Sequence, residues 1–148
     1  MLPAAALLMV VCSVLCGAQD KGYWRAVSSN ASKITGDITL SESKLTINFI
    51  GYSLAHIHDL TTAEAGAAFD IDVNAPGGGS LYRLKIPGDK RFLHHNTLCG
   101  SEDTEWMATY AEGRTLHVAL FSGAEMPVLT PDALASSSEV CGLFSYEH

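Results

Sequence analysis

Residues 105–122 read EWMATYAEGRTLHVALFS, and this stretch predicts two β-strands joined by a turn. Apolar residues recur at every second position on both sides of Glu112 and Gly113, as at 106, 108 and 110 and at 116, 118 and 120. An alternation with period two is typical of a half-buried β-strand, and a glycine between two such runs favours a tight turn. We therefore predict a hairpin of strands 105–111 and 114–122 with Glu112 and Gly113 at its tip.

The same period recurs along most of the chain. It predicts strands over 34–40, 45–49, 52–60, 67–73, 82–86 and 140–146, separated by turn-forming residues. Thr61 and Glu64 have the spacing of a capping box and predict one helical turn at 61–66, and Thr130 before Pro131 predicts a short helix at 131–136. We expect an all-β fold: a single antiparallel β-barrel or sandwich of about eight short strands with one or two short helices.

The first 18 residues, MLPAAALLMVVCSVLCGA, form an apolar run that ends in small residues. This run is shorter than the roughly 20 apolar residues of a spanning helix, and its small-residue end is typical of a signal-peptide cleavage site. We expect a signal peptide at 1–18, cleaved after Ala18, and a single β-rich domain at 19–148. The mature protein would be exported to the periplasm or the extracellular space, with no stable membrane span after leader removal.

The charge balance narrows the classes of partner. The chain has a formal net charge of −7, and its 9 lysines and arginines are scattered except for Lys90 and Arg91. Nucleic-acid binding requires clustered basic residues, so we expect no nucleic acid among the partners. Glycine-flanked nucleophile motifs are also missing, and the sequence therefore favours binding over catalysis.

Two cysteines, Cys99 and Cys141, remain after the expected leader is removed. Paired cysteines are common in exported proteins, and neither residue belongs to a C-x-x-C motif of the redox or zinc-binding kind. We predict a disulfide between them, with a reactive thiol or a metal-thiolate site as the alternative.

His56 and His58 are the strongest candidate metal ligands. On a regular strand they would face the same side about 7 Å apart, so both could bind one Zn or Cu ion. A third ligand would come from elsewhere, with His94, His95 and His117 as candidates. The alternative is that these histidines are structural or surface residues without a metal, in a protein that needs no cofactor.

Three segments resemble a known group of proteins. The strings NTLCGSEDTEWMATY (96–110), LHVALFSG (116–123) and CGLFSYEH (141–148) are similar to segments of small exported bacterial proteins of uncharacterised function. N-x-L-C-G and C-G-x-F-x-Y motifs recur in those proteins. The resemblance covers about the C-terminal third, implies a periplasmic or secreted β-domain with Cys99 bonded to Cys141, and carries no catalytic residues.

These observations lead to one functional hypothesis and two alternatives. The first is an exported, non-catalytic binding domain for a protein or a small apolar ligand. The second is an inhibitor of a protease or of lysozyme, in which the loop at 87–95 enters the cleft of the target through Lys90, Arg91, His94 and His95. The third is a metal-binding protein that uses His56 and His58.

Overall fold

The computed structural model describes residues 19–148, so the expected signal peptide at 1–18 lies outside the described residues. The strands are β1 (Gly22–Ala26), β2 (Ile38–Leu40), β3 (Lys44–Ile47), β4 (Ile50–Ser53), β5 (Ala55–Asp59), β6 (Gly78–Ile86), β7 (Thr104–Glu112), β8 (Thr115–Phe121) and β9 (Val140–Glu147). Two short helices, α1 (Thr62–Phe69) and α2 (Pro131–Ser136), accompany them, with a single helical turn at Ala31–Thr35 and a tight turn at Leu93–His95.

All nine strands belong to one antiparallel sheet, which confirms the predicted all-β fold. Their order is β4-β3-β2-β1-β9-β8-β7-β6-β5. In the described residues no hydrogen-bonded pairing joins β4 to β5, so the sheet is not closed into a barrel. It is nevertheless strongly curled, because Cα atoms of β4, at one end of the order, lie within 8 Å of Cα atoms of β6 near the other end.

The hairpin predicted from 105–122 is confirmed as β7 and β8. Its register runs from Trp106 opposite Phe121 to Glu112 opposite Thr115. Glu112 is the last paired residue, so the turn lies one residue further along than predicted, and Gly113 occupies it with φ of 58°. A positive φ is strained for residues with a Cβ atom, which explains the glycine.

The strand predicted over 67–73 is wrong. The capping box at Thr61 and Glu64 is present, but the helix it starts, α1, continues to Phe69. The alanines of this segment have high helix propensity, and two of them, Ala65 and Ala68, are buried. Asp70 ends the helix in a left-handed conformation with φ of 55°. The alternation of 67–73 therefore spans a helix end and a turn.

The concave face of the curled sheet encloses the larger of two apolar cores. It contains large side chains from most strands, and alternate residues of β7 and β8 point into it. Its fully buried members include Trp24, Leu40, Leu45, Ile47, Tyr82, Ile86, Met107, Leu116, Phe144 and Tyr146. The predicted hairpin thus contributes one face of each strand to this core.

The convex face carries the second core, which α1 and α2 cover. Leu81, Trp106, Ala108, Ala119, Phe121 and Leu129 are buried there, and Phe69 of α1 and Leu134 of α2 pack against them. Because β7 and β8 are covered on both faces, they form the centre of the molecule.

A buried polar cluster joins the first residues of the domain to the concave core. The Tyr82 hydroxyl donates to Asp20 Oδ2 (2.6 Å), and Thr109 Oγ1 donates to the same oxygen (2.8 Å). Trp24 Nε1 donates to the Asp20 carbonyl (2.9 Å), and Lys21 Nζ donates to the Tyr82 hydroxyl (2.8 Å). These contacts hold Asp20, which is 3% exposed, against the sheet.

Candidate functional sites

The predicted binding residues Lys90, Arg91, His94 and His95 lie together on one loop. We call residues 87–96, between β6 and Thr97, the basic loop. Its backbone is held by internal hydrogen bonds from the Lys90 N–H to the Pro87 carbonyl (3.1 Å) and from the Phe92 N–H to the Asn96 carbonyl (2.8 Å). The structure therefore brings these four residues onto a defined surface.

Two contacts fasten the basic loop to the rest of the domain. The Gly88 N–H donates to Asp103 Oδ1 (2.8 Å), and Asn96 Nδ2 donates to the Lys33 carbonyl (3.0 Å). A Cβ atom on Gly88 would lie 2.2 Å from the Ser101 carbonyl oxygen, so only glycine fits there. The Gly88 N–H, together with the Lys85 ammonium, lowers the pKa of Asp103, which keeps this anchor ionised.

His94 and His95 adopt an uncommon backbone conformation. Both are left-handed, with φ of 56° and 61°, and both are exposed. The left-handed region costs an L-residue roughly 1–2 kcal/mol, so this pair stores local strain. Strained non-glycine residues concentrate at functional sites, where the surrounding structure maintains them.

Lys90 and Arg91 carry charge that the described residues do not neutralise. Lys21, Arg25, Arg83 and Lys85 each pair with a carboxylate. Lys90 and Arg91 have no such partner within 4 Å among residues 19–148, and the Arg91 guanidinium donates only to the Gly88 and Lys90 carbonyls (both 3.3 Å). Arg91 is exposed and Lys90 is half-buried.

The structure does not place His56 and His58 on one face of β5, as the spacing on a regular strand predicted. His56 lies opposite Tyr82 and His58 lies opposite Leu81, so a bulge separates the two histidines. Tyr82 belongs to the concave core and Leu81 to the convex core. Because cross-strand partners share a face, His56 and His58 point to opposite sides of the sheet.

Each histidine has its own partners. The His56 ring packs edge-on against Tyr82 (5.7 Å between centroids), and its Nε2 lies 2.9 Å from Asp59 Oδ1. His58 Nδ1 lies 2.8 Å from the Asp59 carbonyl and 3.9 Å from Glu64 Oε1. Within residues 19–148 no group of three or more His, Cys, Asp or Glu side chains is placed to hold one metal ion. A metal site at His56 and His58 stays a prediction.

Cys99 and Cys141 form the predicted disulfide. Their Cα atoms are 4.9 Å apart across 42 residues of sequence. The bond joins the segment after the basic loop to the start of β9. Structural disulfides of this kind are typical of proteins that fold outside the cytosol.

The convex face carries a groove that the sequence did not predict. It has a volume of about 400 Å³ and lies between α1 and α2 above β8 and β9. Every lining side chain is nonpolar: Ala67, Ala68, Ala119, Phe121, Pro131, Leu134, Ala135, Val140 and Leu143. We call it the apolar groove. A neighbouring groove of about 320 Å³ shares Phe121 and Leu134 but has Glu125 and Glu139 in its wall.

Most tryptophan and tyrosine side chains pack within the domain. Trp24, Trp106, Tyr52, Tyr82, Tyr110 and Tyr146 are buried, whereas Tyr23 is 60% exposed.

Comparison with protein-family models, with curated proteins and with solved structures found no match to this chain. None of the helices in residues 19–148 has the length and apolar character needed to cross a bilayer.

Proposed function

We propose that this protein is an exported, non-catalytic binding domain that holds a small apolar ligand in the apolar groove. The observation that carries this proposal is the composition of the groove, whose nine lining side chains contain no hydrogen-bonding group. Leu143, at its rim, is 51% exposed although it is large and apolar. Exposed apolar surface of this kind is typical of binding sites.

The size and chemistry of the groove indicate the kind of ligand. Small-molecule sites commonly have volumes of roughly 300–1,000 Å³, and the apolar groove falls within this range. Its lining side chains offer no hydrogen-bond partner to a desolvated polar group, and burying such a group without a partner is unfavourable. The part of the ligand in the groove is therefore hydrocarbon, and any polar end faces solvent.

Export is supported by two separate features. The apolar run at 1–18 has the length and the small-residue end of a signal peptide. The Cys99–Cys141 disulfide is a bond that the reducing cytosol disfavours. Mass spectrometry of the protein from producing cells should find a chain that begins at Gln19.

The apolar groove can be tested with the uncharged fluorescent probe N-phenyl-1-naphthylamine. Its fluorescence should rise saturably when the mature protein is added, because the probe leaves water for an apolar environment. Leu143→Glu and Ala135→Glu each place a carboxylate at the groove rim, where the native residues are exposed. Each should weaken probe binding at least about tenfold, since the carboxylate would be desolvated by the probe.

Val73→Glu is the matched control, because Val73 is 63% exposed and does not line the groove. It should bind the probe as the wild type does. Equal binding by all the variants, or no saturable binding by the wild type, would contradict the proposal.

The structure offers different support for the two alternative functions, inhibition of an enzyme and metal binding. An inhibitor role is favoured by the basic loop, which is exposed, fastened and strained. The metal-binding role lacks a shared face for His56 and His58 and stays a prediction, which metal analysis of the purified protein tests.

A further inference from the structure

The basic loop is a local concentration of positive charge on an acidic protein. Lys90 and Arg91 lie on it, and the backbone carbonyl of the exposed Lys33 accepts a hydrogen bond from Asn96 of the loop. Asp89 is the one carboxylate within residues 87–96, so these residues and Lys33 carry a formal charge of +2. Since the whole chain carries −7, the remainder carries −9 (−7 minus +2).

This charge is available to a partner. Lys33 and Arg91 are exposed, and Lys33, Lys90 and Arg91 form no ion pair with a described residue. Asp103, the carboxylate that anchors the loop, is already occupied by Lys85 Nζ (3.1 Å) and by the Gly88 N–H. A carboxylate of a partner would thus meet cations that form no ion pair with a described carboxylate of this chain.

The loop is also ordered before any partner arrives. The hydrogen bonds of Gly88, Phe92 and Asn96 hold its backbone, and the disulfide at Cys99 fastens the segment that follows. Ordering a flexible loop on binding reduces affinity, and a loop that is held in the free protein avoids this loss. The left-handed His94 and His95 keep two further ring donors or acceptors at the same exposed surface.

We propose that the basic loop, with Lys33, binds an acidic segment of a partner protein. An anionic membrane or a nucleic acid is an extended polyanion, and it would meet the remaining charge of −9 as well as the loop. A short acidic segment contacts the loop alone. The acidic residues elsewhere in the domain repel it little, because charges more than about one Debye length away, roughly 8 Å at physiological salt, are screened. This proposal does not depend on the apolar groove.

Fluorescence anisotropy with a fluorescein-labelled hexaglutamate peptide tests the proposal on the mature, disulfide-bonded protein. We expect saturable binding at low salt that weakens as salt is raised, and no binding of the matching hexaglutamine peptide. Lys90→Glu with Arg91→Glu should weaken hexaglutamate binding at least about tenfold. The same variant should bind N-phenyl-1-naphthylamine as the wild type does, which separates this proposal from the proposed function.

Lys44→Glu with Arg114→Glu is the control, because it changes the net charge equally. Both residues are exposed, and neither belongs to the basic loop. This control should retain hexaglutamate binding within about twofold. The proposal is overturned if the control loses as much affinity as the loop variant, or if hexaglutamate does not bind. It is equally overturned if phosphatidylglycerol vesicles or a single-stranded 20-mer DNA bind the loop more tightly than the peptide.

Discussion

At the scale of single residues, the turn between β3 and β4 has an uncommon backbone conformation. Asn48 and Phe49 both have positive φ, at 49° and 66°. Hairpin turns with two left-handed residues strongly favour glycine at the second position, where this chain has phenylalanine. The Phe49 side chain is 100% exposed and gains nothing from packing in the folded protein.

Phe49→Gly should therefore stabilise the domain. Glycine adopts positive φ without the steric cost that a Cβ atom imposes, and this gain exceeds its larger loss of chain entropy. We expect the free energy of unfolding to rise by about 0.5–1 kcal/mol, in urea titrations followed by tryptophan fluorescence. Phe49→Ala keeps the steric cost and should stay close to wild type. A loss of stability in Phe49→Gly would show that the phenyl ring makes a stabilising contact.

The sequence could not reveal this turn. The alternation of Leu45 and Ile47 extends to Phe49, so the pattern predicts that Phe49 continues the strand. Asn48 favours a turn, but the glycine that usually follows it is missing. The positive φ of Asn48 and Phe49 depends on the pairing of Ile47 with Ile50 across the turn. The local sequence pattern does not predict this pairing.

At the scale of strands and helices, local patterns predicted an element correctly where the sequence carried one unambiguous signal. The hairpin of β7 and β8 and the helix at Pro131–Ser136 were predicted from alternation and from a Thr-Pro start. The strand over 67–73 failed because alanine-rich sequence fits two periods. The apolar groove could not be predicted, because α1, α2 and β8 bring its residues together from distant parts of the chain.

The disulfide is the main covalent constraint between elements. It closes a loop with a sequence separation of 42 residues, and such closure lowers the entropy of the unfolded chain. Cys99→Ser with Cys141→Ser should lower the free energy of unfolding by about 4 kcal/mol in urea titrations.

Reduction of the wild-type protein provides an independent check on this value. Reduced wild type and the double serine variant should unfold at the same urea concentration, since both lack the same link. If reduction leaves the transition unchanged, the bond does not stabilise the domain.

At the scale of the whole molecule, the concave core contains three tyrosines whose hydroxyls are held away from water. Burial raises the pKa of Tyr82 above its ordinary value, and the hydrogen bond to Asp20 raises it further. Burial also raises the pKa of Tyr146 and of Tyr52. The folded protein therefore keeps these protons at a pH where the unfolded chain releases them.

Stability should consequently fall in alkali. Between pH 7 and the ordinary tyrosine pKa of 10.0 both states keep these protons, and the contribution is fully present. Above pH 10 the unfolded state loses protons that the folded state retains, so rising pH favours unfolding. Urea titrations at pH 9 and pH 11 should show a lower free energy of unfolding at pH 11.

Tyr52→Phe isolates one of the three groups. The Tyr52 hydroxyl is buried without a hydrogen-bond partner among the described residues, so its removal should cost little at pH 7. The variant should lose less stability than wild type between pH 9 and pH 11. Equal losses would assign the alkaline effect to other groups.

The bulge in β5 has a further consequence. β5 is the last strand in hydrogen-bond order, and an outermost strand offers unpaired backbone groups to other chains. A bulge interrupts the regular spacing of those groups and twists the strand, which hinders intermolecular strand addition. The irregularity that separates His56 from His58 thus also protects this border of the sheet against aggregation.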